Sequence, residues 1–274
     1  MNIEKHDSVE QSNLENREEF GRNVTLVIDL IRHPEKDYET GNLKEEGKKA
    51  FLDKLNAEYD DPEQQFDTIK CYVSSLKRGQ QAKQPLAKFL QENGINTKIR
   101  TRKELVGKMD QYSDETDKAM DRILEERDLL EDGKIQKEDA FEPISKDEES
   151  LKNEILIQEY FDRGFPESTL TGEEIGEELD SLIQHFAGMA QMFTSDSKVK
   201  IVSVGHGGVI EYLTKLVYLH NHPELRSEDV SVEEIGGLLD YMSGPRITIT
   251  SDENGVQKAV LEFKDLSLDY EIKG

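Results

Sequence analysis

The chain of 274 residues has one cysteine, no tryptophan, no long apolar run and little positive charge. A lone cysteine, Cys71, excludes an intramolecular disulfide. Within a strand-like apolar stretch it reads as a buried, inert thiol. No segment approaches the roughly 20 apolar residues of a membrane-spanning helix. The polar, charged N-terminus lacks the apolar centre of a signal peptide. Lys and Arg number 35 against 59 Asp and Glu, a net charge of −24. So acidic a surface argues against nucleic-acid backbones and anionic membranes as partners. These absences point to a soluble, cytoplasmic protein. With 35% hydrophobic and 34% charged residues, the chain can build a core while part of it stays solvated.

Residues 1–22 are polar without apolar period and read as a flexible tail. The apolar run at 24–31 predicts a buried strand, in which Asp29 is out of place; a partnered rim position suits it better than a functional one. Leu43, Gly47, Ala50, Phe51 and Leu55 recur at helical spacing. A second strand is predicted at 68–74. A helix follows at 76–92, with Ala82, Leu86, Phe89 and Leu90 as its stripe and Gly94 as its stop. Pro85 should kink or open that helix. A short strand is expected at about 97–101.

From 105 to 168 the pattern weakens, and 20 Asp or Glu meet 9 Lys or Arg, a net of −11. This segment reads as an acidic cap inserted into one domain spanning 23–274, with helices at about 114–132 and 147–162. Thr171-Gly-Glu-Glu174 fits a capping box, and the helix behind it carries Ile175, Leu179, Leu182, Ile183, Phe186, Met189 and Phe193. A strand at 199–204 leads to His206 and a helix to about 218. A hairpin at 246–251 and 257–263 turns at Asp252-Glu-Asn-Gly255. Alternating strands and helices without an internal repeat predict an α/β fold, a mostly parallel sheet sandwiched between helices.

Two apolar runs end in histidine: Arg32-His33 after the first strand and Gly205-His-Gly-Gly208 after the later one. Open α/β sheets place their ligand crevices at such strand ends. An imidazole can attack phosphorus when one ring nitrogen is free and the other is held by a hydrogen bond. Arg32 can fork onto two phosphate oxygens. Arg78 lies just past the second strand, and the glycines around His206, Gly207 among them, permit close backbone approach to an anion. Glu104 follows the third strand and is a candidate proton donor, with Asp110 and Glu35 as back-ups. His6 falls in the tail. His185 reads as a rim residue, and His220 and His222 as a helix end rather than a metal site.

The chain resembles the histidine phosphatase superfamily, the phosphoglycerate-mutase-like proteins. Arg32-His33 resembles that family's Arg-His-Gly signature, and Leu43-Lys-Glu-Glu-Gly47 its Leu-Thr-x-x-Gly element. Ser74-Ser-Leu-Lys-Arg78 is similar to its Ser-x-Leu-x-Arg segment, and Gly205-His-Gly-Gly208 to its second-histidine loop. Gly172-Glu-Glu174 resembles its Gly-Glu-Ser helix start. The matches run in family order over residues 24–264. The resemblance implies a phosphoglycerate-mutase-like three-layer fold and a transient phosphohistidine on His33. It implies that Arg32, Arg78 and His206 hold the phosphoryl group, that Glu104 protonates the leaving oxygen, and that no metal or organic cofactor is needed. Pro34 departs from the family's glycine and offers no backbone N–H.

The expected activity is hydrolysis of a phosphomonoester. The alternatives are a mutase and a catalytically weak phospho-ligand-binding protein. The absence of tryptophan departs from the Arg-His-Gly-x-Ser-x-Trp-Asn pattern of mutases. The acidic cap would repel polyanions, so a mono-phosphorylated metabolite or a phosphopeptide is the expected substrate.

Overall fold

The computed structural model describes residues 20–37, 40–62, 65–106 and 171–273. The N-terminal 19 residues, Asp110, and nearly all of the expected acidic cap with both its helices lie outside them. Leu105 and Val106, at the cap's expected start, are buried with the core. Residues 20–22 are not tail. Phe20 bridges Thr194, and the Gly21 N–H donates to the Phe193 carbonyl at 2.9 Å.

In chain order the elements are β1 (Thr25–Arg32), α1 (Glu45–Asp60), β2 (Thr68–Ser74), α2 (Lys77–Glu92) and β3 (Ile99–Arg102). A 3-10 turn (Lys103–Leu105) follows β3. Then come α3 (Gly172–Ala190), β4 (Lys198–Gly205), α4 (Gly207–Asn221), β5 (Arg246–Ser251), β6 (Gln257–Phe263) and β7 (Leu266–Tyr270). They build a seven-stranded sheet ordered β3-β2-β4-β1-β5-β6-β7. β1 to β4 are mutually parallel; β5, β6 and β7 continue antiparallel from β1.

The central strands are mainly apolar because helices cover both faces. Leu26, Ile28 and Leu30 of β1 pack with Ile175, Ile183 and Phe186 of α3 and Leu213 of α4. On the other face, Ile31, Cys71, Val73 and Val204 pack with Phe51 of α1 and Leu86 and Phe89 of α2. Burial pushes the Cys71 thiol up to about 12, which suits an inert packing residue. α3 opens with the capping box expected of Thr171 and Glu174.

Asp29 is a structural partner, but it is buried within a central strand and not at a rim. Its carboxylate accepts from Arg246 Nε at 2.6 Å and pairs with Lys200 Nζ at 2.9 Å, while Lys200 also reaches Glu58 at 2.8 Å.

Several expectations are corrected. α2 runs unbroken through Pro85. The proline lies on the buried face, where packing against the sheet outweighs one missing backbone hydrogen bond. β3 begins and ends later than its sequence suggested, and α4 extends past 218. β7 was missed altogether. It pairs with β6, and Asn221 from α4 grips its outer edge, donating to the Asp269 carbonyl and accepting from the Asp269 N–H.

The segment 223–245 also escaped prediction. It buries Val230, Val232, Ile235 and Leu239 and then crosses the end of β1. There Arg32 N–H donates to the Ser243 carbonyl and Met242 N–H to the Arg32 carbonyl.

Among the described residues no helix is long and apolar enough to cross a membrane.

Candidate active site

Because β1 to β4 are parallel, their C-terminal ends lie along one edge of the sheet. His33 follows β1, Ser74 closes β2, Glu104 follows β3, and His206 follows β4. The pairing of Arg32 with Gly205 puts the two histidines side by side. His33 N–H donates to the Gly205 carbonyl at 3.1 Å, and the imidazoles meet edge-on with centroids 5.0 Å apart.

His33 is 1% exposed. Its Nδ1 lies 2.7 Å from the Pro34 carbonyl oxygen. A carbonyl can only accept, so Nδ1 carries the proton and the lone pair sits on Nε2. Burial, reinforced by Arg78, Arg32 and Lys36, lowers this imidazole to about 3, against the opposing Pro34 hydrogen bond. His33 is therefore neutral at any ordinary pH. Burial also lowers His206 well below 6.5, helped by His33, Arg78, Arg32 and Lys36.

His206 Nε2 lies 3.0 Å from Ser74 Oγ, within hydrogen-bonding distance. Gly79, in the first turn of α2, makes this contact possible. A Cβ there would fall 2.0 Å from Ser74 Oγ and 2.8 Å from its carbonyl oxygen. Gly79→Ala is therefore expected to displace Ser74 and release His206. A loss of roughly 10- to 100-fold in kcat/KM, the scale for a misplaced catalytic group, should accompany a lowered melting temperature, because the Cβ also meets the Ser74 backbone. An unchanged rate would show that the Ser74 contact does not position His206.

Arg32 donates from Nη1 to the Leu239 carbonyl at 2.6 Å, and its guanidinium lies 4.3 Å from the Tyr241 ring centroid. Arg78 sits in the first turn of α2 and bears electrostatically on both histidines. Gly207 begins α4, whose N-terminus has no side-chain cap. Its first N–H groups remain for an anion. A Cβ at Gly207 would touch Arg32 Cδ and Nε at 3.4 Å.

Glu104 lies in the turn after β3 at the same sheet edge, and its Oε2 is buried without a hydrogen-bond partner. Glu35, the back-up acid, accepts from Lys44 Nζ at 2.6 Å. Pro34 takes a part the departure from glycine did not suggest, since its carbonyl orients His33. His185 is exposed on α3 near Arg102, and His222 pairs with Glu224 at 3.5 Å. Among the described residues no group of three or more His, Cys, Asp or Glu could hold a metal ion.

Sequence reasoning missed Ser74, Tyr241 and Glu211. Ser74 was legible as the first residue of the Ser-x-Leu-x-Arg-like segment. Tyr241 lies in a loop without periodicity, and Glu211 on a helix where a carboxylate reads as solvated.

Two strand-end histidines thus lie on the C-terminal edge of the parallel part of a sheet covered by helices on both faces, an α/β fold of the phosphoglycerate-mutase-like kind. No protein-family model matches the chain, and no curated protein matches its sequence. The fold is similar to that of a solved structure called mycobacterial hydrolase 2, with a TM-score of 0.50 and 13% identity over 90% of this chain and 92% of that one. A mycobacterial glucosyl-3-phosphoglycerate phosphatase matches at TM-score 0.45 and 12% identity, covering 87% and 96% of the two chains. The protein histidine phosphatase SixA, complexed with tungstate, matches at 0.35 and 9% over 89% and 96%.

Proposed function

We propose that the protein is a phosphatase that hydrolyses a phosphomonoester through a phosphohistidine on His33, without a metal. The observation that carries this reading is the His33 tautomer. A buried neutral imidazole, its Nδ1–H held by the Pro34 carbonyl, keeps a lone pair on Nε2 within the electrostatic reach of Arg78 and Arg32 and beside the His206 ring.

The reaction has two halves. His33 Nε2 attacks phosphorus as the bond to the leaving oxygen breaks, and Glu104 supplies that oxygen's proton. Glu104 then takes a proton from water, water oxygen attacks phosphorus, and the P–N electron pair returns to Nε2. Arg32, Arg78, His206 and the α4 N-terminus neutralise the equatorial oxygens.

The net charge of −24 favours a substrate with a single phosphate, a small metabolite or a phosphopeptide, over a polyanion. The lone buried cysteine suits a reducing cytoplasm.

The reading is tested by quenching turnover in alkali, where a phosphoramidate survives, and mapping the labelled residue. Phosphate on His33 is the expected result; steady turnover with no labelled histidine sinks the mechanism. Glu104→Gln is expected to lower kcat by roughly 10²–10³-fold on alkyl phosphates, the usual weight of a general acid. The loss of phosphorylation rate should be small with p-nitrophenyl phosphate, whose leaving group needs no proton. Equal losses of that rate on both substrates would remove Glu104 from the acid role.

A further inference from the structure

Glu211 lies on α4, just over one turn past His206, and is 3% exposed. Its Oε1 accepts from the Leu239 N–H at 2.6 Å. The carbonyl of that same residue accepts from Arg32 Nη1 at 2.6 Å. One backbone residue is thus gripped from both sides, by a buried carboxyl and by the arginine beside the proposed nucleophile. The second carboxyl oxygen and the same arginine flank Gly207. A point at the Cβ position of Gly207 lies 3.5 Å from Glu211 Oε2 and 3.4 Å from Arg32 Nε.

We propose that Glu211 is a positioning residue for the phosphate site: it holds Arg32 in place through Leu239, and when ionised it weakens the site's hold on phosphate. This role presupposes the phosphate site proposed above.

The two effects separate cleanly. A carboxyl accepts from an N–H whether or not it is protonated, so the clamp persists through titration while the charge changes. Burial pushes the Glu211 carboxyl up to about 7, against the Leu239 N–H and the charges of Arg32 and Lys264. The groups facing it are Arg32 from β1, Leu239 from the preceding loop and Lys264 from the turn between β6 and β7. Lys215 follows one turn later on α4 itself. Below about pH 7 Glu211 is neutral and leaves the arginine's charge to the ligand. Above it, a carboxylate stands behind Arg32 and opposes the incoming anion. His33 does not titrate in that window.

The test is the affinity of inorganic phosphate, by calorimetry, for the full-length wild type and Glu211→Gln at pH 6 and pH 8.5. Glutamine keeps the acceptor and removes the charge. Comparison at each pH cancels the ionisation of phosphate itself. The ratio of variant to wild-type affinity is expected to rise by roughly 10-fold between the two pH values. A ratio that does not change with pH overturns the proposal, even if both proteins hydrolyse phosphate esters. Glu211→Leu, which removes the acceptor, should raise KM for p-nitrophenyl phosphate at pH 6, where the wild-type carboxyl is already neutral; an unchanged KM there overturns the clamp.

If Glu211→Gln does not fold, the wild-type carboxyl can be followed by carbon NMR. Its midpoint is expected to rise on adding phosphate, and a carboxyl that titrates in the ordinary range overturns the proposal. Wild type that neither binds phosphate nor loses activity in His33→Ala would instead refute the phosphatase reading, a result distinguishable from all of these.

Discussion

His33→Ala is expected to lower phosphate-ester hydrolysis by at least about 10⁴-fold, the scale of removing a covalent nucleophile. Alanine cannot form the phosphoryl-enzyme, and no neighbour substitutes for it. His206 contributes from the adjacent strand, but its Nε2 faces Ser74. The measurement is p-nitrophenyl phosphate hydrolysis from pH 4.5 to 8 with EDTA present, on proteins shown by circular dichroism to be folded.

The wild-type profile is informative as well. Burial holds His33 at about 3, so the nucleophile stays unprotonated across the whole range. An acid limb near pH 6.5 that disappears when the substrate is changed for one of lower phosphate pKa would belong to the substrate. A limb near 6.5 that persists with every substrate would contradict a neutral buried His33. Retention of more than a tenth of the activity in His33→Ala would refute the phosphohistidine mechanism.

Asp29→Asn is expected to cost about 3 kcal/mol of stability, the low end for breaking a buried ion pair. The Lys200 and Asp29 side chains are 6% and 9% exposed, so removing one charge strands the other. Glu58, at 2.8 Å from Lys200, keeps the loss from being larger. Burial alone would raise the Asp29 carboxyl, but the hydrogen bonds and charges of Arg246 and Lys200 outweigh it and hold it below its ordinary value. A depressed carboxyl stabilises the fold fully above the unfolded value near 4. That contribution is lost as pH falls through the lower, folded value. The gap between wild type and Asp29→Asn in urea unfolding should therefore be largest at neutral pH and narrow below about pH 4.

Asp29→Val with Lys200→Met removes both charges and leaves Arg246 and Glu58 partly solvated. It should be less destabilised than the two single changes added together. A single-variant cost below about 1 kcal/mol would show that Glu58 and water compensate Lys200 on their own.

The sheet was readable where burial on two faces forces continuous apolar runs, as in β1, β2 and β4. Their ends were readable too, because Arg32, His33 and His206 interrupt those runs abruptly. β7 was not, since Leu266-Ser-Leu-Asp-Tyr270 is short and its two polar residues resemble a loop. The segment 223–245 hid its core residues because Val230, Val232, Ile235 and Leu239 follow neither period. Pro85 did not end its helix, because the buried face on which it lies is held by packing. Glu211 was invisible for a different reason: nothing in a helix sequence distinguishes a buried carboxylate from a solvated one until the chain that covers it is placed.

The pairing of Arg32 with Gly205 joins residues far apart along the chain. Contacts of such sequence separation close slowly and late in folding. The two histidines are therefore strangers until the sheet is nearly whole. During refolding, helical signal should recover first and turnover last, so activity would serve as a clock for completion of the central sheet.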